Sequence, residues 1–250
     1  MYNYVLTTRE KVIFMGTMIR TEGLKKIYRV GNEKVAALAG IDLEIDEGEI
    51  CCIVGQSGSG KSTLLNMLAG LEKPTKGSIV IAGKRVTSMD EERLAIFRQE
   101  NLGFIFQSFN LLPQLTAVEN AALPLMFSGM DKMKRDRRAM KELENMGIAA
   151  RAKHRPSEMS GGQQQRVGIA RAFVARPKVI FADEPTGNLD TQTTEQVMNA
   201  MLDRVKKFGI TMVMVTHEQT LAACGNRIVT LSDGKIISNE IINRQAEEVI

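Results

Sequence analysis

Nothing in this 250-residue sequence is long and apolar enough to cross a membrane as a helix, because no run of about 18 apolar residues occurs. The three cysteines, Cys51 and Cys52 side by side and Cys224 far downstream, supply neither a disulfide framework nor a pair at zinc-ligand spacing. They read as buried, reduced thiols. The excess of positive charge is only +4, which permits contact with phosphates or a membrane surface but falls short of a DNA-binding stripe. Internal repeats, low-complexity tracts, sustained heptads and dividing linkers are also lacking. What remains is an ordinary globular composition, 44% hydrophobic and 25% charged, enough for one large α/β domain with a proper core. The start of the chain has just one short apolar patch, Val12 to Met15, too short for a signal-peptide core. Residues 1–17 are therefore expected to be a disordered extension, or the product of an early start codon with Met18 the true beginning.

From Met18 onward the pattern alternates strands with helices. Residues 19–24 and 35–45 read as strands broken by Gly31-Asn32 and Gly40, and 49–54 as a continuous apolar run of the buried type. Leu64, Leu65, Met67 and Leu68 fall at helical spacing, with Gly70 placed as a C-terminal cap. Residues 78–81 and 84–86 read as a hairpin around Ala82-Gly83. Segments 88–100 and 131–147 read as charged helices, 161–175 and 191–208 as further helices, and 178–182, 211–216, 227–231 and 235–238 as strands. Such alternation implies parallel βαβ units with a sheet covered on both faces.

Gly55-Gln56-Ser57-Gly58-Ser59-Gly60-Lys61-Ser62 is a complete phosphate-binding loop in its proper strand-to-helix setting. Its glycines let backbone N–H groups face the phosphates, and the helix N-terminus adds partial positive charge. In this pattern Lys61 reaches the β- and γ-phosphates, Ser62 is placed to ligate Mg²⁺, and Thr63 assists at the α-phosphate. Far downstream, residues 179–182 form a buried strand ending in Asp183-Glu184. One carboxylate at the end of a strand beside the loop strand suits a Mg²⁺ ion, and the next suits the polarising of an attacking water.

Met159-Ser160-Gly161-Gly162-Gln163-Gln164-Gln165-Arg166 closely resembles the signature of ABC transporter ATP-binding subunits, with Met where Leu is usual, a volume-conserving change. A Ser-Gly-Gly opening a helix is a second anion cradle. One phosphate loop needs no second cradle in the same chain, so it is expected to serve the nucleotide of a second copy, in a head-to-tail homodimer enclosing two ATP molecules. The resemblance covers about residues 18–241 and implies further site residues. Gln107 resembles the glutamine that joins Mg²⁺ coordination and links the site to a membrane partner. Asp190, in Asn188-Leu189-Asp190, resembles the loop that crosses between copies. His217 resembles the switch histidine at the γ-phosphate, and Tyr28 the aromatic that stacks on adenine. The expected fold is a P-loop NTPase (RecA-like) core with an antiparallel β subdomain and an α-helical subdomain at about 108–165, within an ATP-binding domain spanning 18–250. ATP and Mg²⁺ are the expected cofactors, with Lys61, Glu184 and His217 catalytic.

Phe109-Asn110-Leu111-Leu112-Pro113, Glu119-Asn120 and the run 182–190 look like the lipoprotein-release, macrolide-export and FtsE-like group. Its members pair with FtsX/MacB-like permeases, which implies a cytoplasmic protein held at the inner face of the cell membrane. Phe109, Leu111, Leu112 and Leu115 fit no amphipathic period and are expected to leave an uncovered docking surface around 107–120. The basic segment 132–141 is expected to be a solvated helix face opposite Met133, Met140 and Leu143, not a nucleic-acid site. His154 reads as a surface residue. The alternative class is a non-transport ABC ATPase, against which the single cassette and the absence of coiled-coil or zinc inserts argue. A third reading, an ATP-binding regulator without turnover, is opposed by the presence of both Glu184 and His217.

Overall fold

The computed structural model describes residues 16–31 and 33–242, so all of the expected N-terminal extension except Gly16 and Thr17 lies outside the described residues. Two long strands, β1 (Thr17–Val30) and β2 (Glu33–Asp46), pair antiparallel, and β2 runs on through Gly40 where the sequence suggested a break. The buried strand β3 (Ile50–Val54) follows and leads into α1 (Lys61–Leu68). A hairpin comes next, β4 (Lys76–Ile81) and β5 (Lys84–Arg85), turning at Ala82 and Gly83 with φ of 49° and 75°. Both turn residues are left-handed, the geometry that matches strand twist in a two-residue hairpin.

Helix α2 (Glu91–Asn101) leads directly into β6 (Leu102–Phe106). Two helices, α3 (Ala117–Phe127) and α4 (Lys132–Asn145), then precede α5 (Gly161–Phe173). Strand β7 (Val179–Asp183), α6 (Thr191–Phe208), β8 (Thr211–Val215), a short turn α7 (Gln219–Ala222), β9 (Arg227–Ser232) and β10 (Lys235–Ile241) complete the chain.

Helix α3 is absent from the sequence reading because Pro124 sits inside it. Tertiary packing overrides the proline: Ala117, Ala121, Ala122 and Leu125 are buried, and Thr116 with Glu119 closes a capping box at the N-terminus. Helix α4 also departs from expectation. Ala139 and Leu143 form its buried stripe with Met140 partly covered, whereas Met133 is 74% exposed. His154 is half-buried, not a surface side chain, with its Nε2 2.8 Å from an Arg151 guanidinium nitrogen.

The strands form two sheets, an antiparallel one ordered β2-β1-β4-β5 and a larger one ordered β10-β9-β3-β8-β7-β6. In the larger sheet β9, β3, β8, β7 and β6 are parallel, with β10 antiparallel at one edge. Side chains alternate across it and divide between two cores. Cys51, Ile53, Phe181, Val213 and Val215 pack with α1, α2 and the antiparallel sheet, while Cys52, Ile180, Ala182, Met212 and Met214 pack with the helices of the other face. The continuous apolar runs are thus explained by burial on both faces. One expectation needs correction here: the strand carrying Asp183 is not beside the phosphate-loop strand, because β8 lies between them. That insertion brings the end of β8, and hence His217, next to the carboxylates at the end of β7.

Candidate functional site

The loop between β3 and α1 is shaped by glycines at positions where a side chain will not fit. A Cβ on Gly55 would lie 2.3 Å from the Leu231 carbonyl oxygen, and one on Gly60, at φ 101°, would lie 2.6 Å from that of Ala37. Gly60 caps α1 without any side-chain acceptor, so the helix opens with N–H groups turned to the cleft rather than satisfied by the chain. Lys61 is 8% exposed and its ammonium donates to the carbonyl oxygens of Gly55 and Gln56, both at 2.8 Å. Ser59 is buried and ties the loop to the neighbouring turn, its carbonyl accepting from Gly234 N–H at 3.1 Å. A cleft of about 340 Å³ is lined on one side by Ser57, Gly58, Gly60, Lys61, Ser62 and Thr63 and on the other by Glu184 and His217.

Asp183 ends β7, and its carboxyl is pushed above the usual range by burial and by the Glu184 carboxylate, with Lys61 opposing. Glu184 has a left-handed φ of 43°, an uncommon conformation for a residue with a Cβ. Its N–H donates to Val215 O at 3.0 Å and its carbonyl accepts from Gly187 N–H at 3.1 Å. Its Oε1 lies 3.1 Å from His217 Nδ1. A Cβ on Gly187 would lie 2.8 Å from Gln107 Nε2 and 3.3 Å from Glu184 Oε2, so this glycine leaves room for the two side chains to converge. The Gln107 carbonyl accepts from Asn188 Nδ2 at 3.0 Å, which joins the end of β6 to the turn after β7.

Ser160 caps α5 in a reciprocal box: its Oγ accepts from Gln163 N–H at 3.3 Å, and Gln163 Oε1 accepts from Ser160 N–H at 3.0 Å. Gly162 is crossed by the first turn of α6, since a Cβ there would meet Thr193 Cγ2 at 2.3 Å. Asp190 caps α6, accepting from Thr193 N–H at 3.0 Å. Gly161 faces Leu189, so Ser160, Gly161, Gly162, Gln163 and Asp190 gather at one helix junction, and none of them lines the cleft at Lys61. Tyr28, on β1, donates its hydroxyl to Glu72 Oε2 at 2.7 Å, with Lys26 Nζ 5.2 Å from the ring centre. Burial and Glu72 raise its phenol, and Thr63 of the loop helix is close enough to act on it.

The ABC transporter family profile matches residues 38–187. The chain belongs to the ABC transporter family. It is 51% identical to an uncharacterised ABC transporter ATP-binding protein of Methanocaldococcus jannaschii, over 91% of this chain and all of that protein. It is 46% identical to the uncharacterised ABC transporter ATP-binding protein YknY of Bacillus subtilis, over 88% of this chain and 95% of that protein. The macrolide export ATP-binding/permease protein MacB of Salmonella typhi is 45% identical over 90% of this chain, which spans 35% of that protein. Among solved structures, the dimeric ATP-binding cassette MJ0796 in a post-hydrolysis state, bound to ADP and phosphate, matches with a TM-score of 0.85 and 41% identity, over 90% of this chain and 99% of that one.

This ABC cassette is an ATPase with a RecA-like core, an antiparallel β subdomain and an α-helical subdomain. Its structure assembles Lys61, Ser62, Thr63, Glu184 and His217 around one cleft, with the Gln107 and Glu184 side chains both reaching Gly187. The cluster at Ser160 and Asp190 stands apart. Two residues escaped the sequence reading. Gln165 donates from Nε2 to Pro185 O beside Glu184, and the Arg171 guanidinium donates to the carbonyls of Phe109 and Asn110. Nothing in the sequence separates Gln165 from Gln163 and Gln164 except its place on the inward face of α5. Arg171 carries no sequence signal at all.

Proposed function

We propose that the cassette works as a head-to-tail homodimer enclosing two Mg-ATP, in which each nucleotide lies between the phosphate loop of one copy and the Ser160–Gln163 cradle of the other. The observation that carries this reading is the separation within one chain: Ser160 and its capped helix end stand outside the cleft that holds Lys61. An exposed helix end that does not line the cleft of its own phosphate loop is matched by a second copy turned around. The dimeric MJ0796 cassette supports the arrangement.

In this reading the open N–H groups of Gly58, Gly60 and Lys61, with those of Ser62 and Thr63 at the start of α1, hold the phosphates, while Ser59, whose N–H donates to Gln56 O at 3.2 Å, keeps the loop in shape around them. Lys61, already turned into the loop, exchanges its carbonyl partners for phosphate oxygens. Gly55, Gln56 and Ser57 shape the turn, and Tyr28 offers a face to adenine. Ser62, Gln107 and Asp183 supply oxygen atoms of the hard type that Mg²⁺ takes. Among the described residues no cluster of three or more His, Cys, Asp or Glu forms a closed metal cage, which suits an ion shared with phosphates. Such an ion would neutralise charge on the β- and γ-phosphates. Glu184 orients and deprotonates the attacking water, His217 holds the Glu184 carboxylate and reaches the γ-phosphate, and Asp190 stands at the junction between copies.

The partner is an FtsX/MacB-like permease, with the cassette on the cytoplasmic face of the cell membrane. MacB relatives, which carry this cassette as about a third of a longer ATP-binding/permease protein, support that pairing. The docking surface lies on the helical subdomain, about residues 108–165. There Asn120, fully buried, accepts from Leu112 N–H at 2.7 Å and donates to the carbonyls of Leu112, Leu115 and Thr116, pinning a loop that leaves Leu112 45% exposed. Steady-state ATP hydrolysis by the purified chain, with and without the permease in lipid, tests the assignment. Turnover that the permease never alters would refute the pairing.

A further inference from the structure

Gln165 lies in the second turn of α5 and is 1% exposed. Its Nε2 donates to the carbonyl of Pro185, while its Oε1 is enclosed with no hydrogen-bond partner. An amide half-satisfied in the interior is an unusual choice in a helix that otherwise buries Val167, Ile169, Ala170 and Phe173. The bond it does make falls next to Glu184, whose left-handed backbone persists only where neighbours hold it. Pro185 has a fixed φ and no N–H, so its carbonyl is the handle by which the turn after Glu184 can be gripped from outside.

The same helix grips two other parts of the machinery. Five positions before Gln165, about 7.5 Å along the axis, Ser160 caps its exposed end. Six positions after it, the Arg171 guanidinium holds the carbonyls of Phe109 and Asn110, two left-handed residues (φ 61° and 48°) just beyond Gln107. Ser160, Gln165 and Arg171 are thus carried by one continuous helix.

We propose that Gln165 is a positioning residue that makes the two nucleotide sites of the dimer interdependent. A nucleotide of the second copy engaging Ser160 sets α5, and Gln165 passes that setting to the Glu184 turn of its own copy, so that Glu184 is aligned for hydrolysis only when both sites are filled. This rests on the head-to-tail reading above.

Gln165→Leu keeps the volume and removes the grip. ATP binding by the monomer, and ATP-dependent dimerisation placed in a Glu184→Gln background, should be unchanged. The kcat should fall about tenfold, the scale of one buried hydrogen bond, and the Hill coefficient for ATP should drop toward one. A structural role alone would not move the Hill coefficient. Gln165→Glu provides a second readout should the leucine variant not fold. An ionised carboxylate cannot donate to Pro185 O, whereas a protonated one can, and burial raises its pKa. Its kcat relative to wild type should therefore recover as pH is lowered from about 8.5 to 6. A folded Gln165→Leu with wild-type kcat and Hill coefficient overturns the proposal, as does a Gln165→Glu ratio flat with pH. If the Glu184→Gln protein fails to dimerise with ATP, the head-to-tail reading falls and this proposal with it.

Discussion

Glu184 and His217 meet across two adjacent parallel strand ends, with Glu184 Oε1 3.1 Å from His217 Nδ1. The carboxylate is half-buried and the imidazole mostly exposed, so the ring closes the solvent side of the acid. Because β8 lies between β3 and β7, this pair faces the phosphate loop across the cleft instead of sitting beside it.

That placement makes Glu184→Gln informative. With Glu184 as the base proposed above, a substitution that keeps the shape should preserve ATP binding and lower turnover about 10²–10⁴-fold. The variant should also accumulate as an ATP-stabilised dimer, because the closed state can no longer hydrolyse its way open. Light scattering with and without ATP measures the dimer. Near-normal turnover would remove Glu184 from the mechanism.

Lys61→Ala and Ser160→Arg should separate binding from assembly. Lys61→Ala deletes a charge-assisted contact worth about 1.5–3 kcal/mol, so ATP affinity should fall about tenfold or more. Ser160→Arg loses the helix cap, about 1 kcal/mol of stability, yet the monomer should bind ATP normally and fail to dimerise. Equal loss of ATP affinity in both variants, read by fluorescent-nucleotide titration, would contradict a site shared between copies.

Leu112→Asp should leave hydrolysis by the isolated chain within about twofold, since surface changes away from special features cost little. Co-purification with the permease, and its effect on turnover, should be lost. Phe127→Asp is the companion variant, because Phe127 is 71% exposed and lines a second cleft with Gln99, Pro124 and Met130. Uncoupling by Phe127→Asp alone would move the docking groove to the end of α3.

Asp190 offers a pH test. The Thr193 side chain, and with it the Thr193 N–H, hydrogen-bonds its carboxylate and holds its pKa below the usual value. A depressed folded pKa adds stability that is present above the ordinary carboxylate pKa of about 3.9 and is lost as pH falls through the folded value. Asp190→Asn keeps the cap but not the charge. Its stability deficit in urea unfolding should stay constant from about pH 8 to 5 and shrink below about pH 4. A deficit that grows on acidification would reverse the sign and exclude a stabilising charge.

Much of this was legible in the linear chain. The glycine spacing of 55–60 and the strand-to-helix switch around it announce a phosphate loop, because the backbone geometry itself demands those residues. Helix starts depend on signals within three or four residues, so the helix opened by Ser160-Gly161-Gly162 and the one beginning at 191 were readable, whereas the Asp190 cap on Thr193 was seen only in the structure. Helix α3 was hidden because Pro124 is a local stop signal, and only the burial of its alanine face outweighs it.

What the sequence determined by itself was therefore local: where the chain turns, where helices begin, and which residue types can hold a phosphate or a proton. Strand order was left to tertiary structure, since β3, β7 and β8 are equally apolar and no short-range pattern says which lies in the middle. The placement of His217 against Glu184, the convergence of Gln107 on Gly187 and the grip of Gln165 on Pro185 follow from that order. They join residues 20 to 80 positions apart, and packing on both faces of one sheet brings them within hydrogen-bond reach.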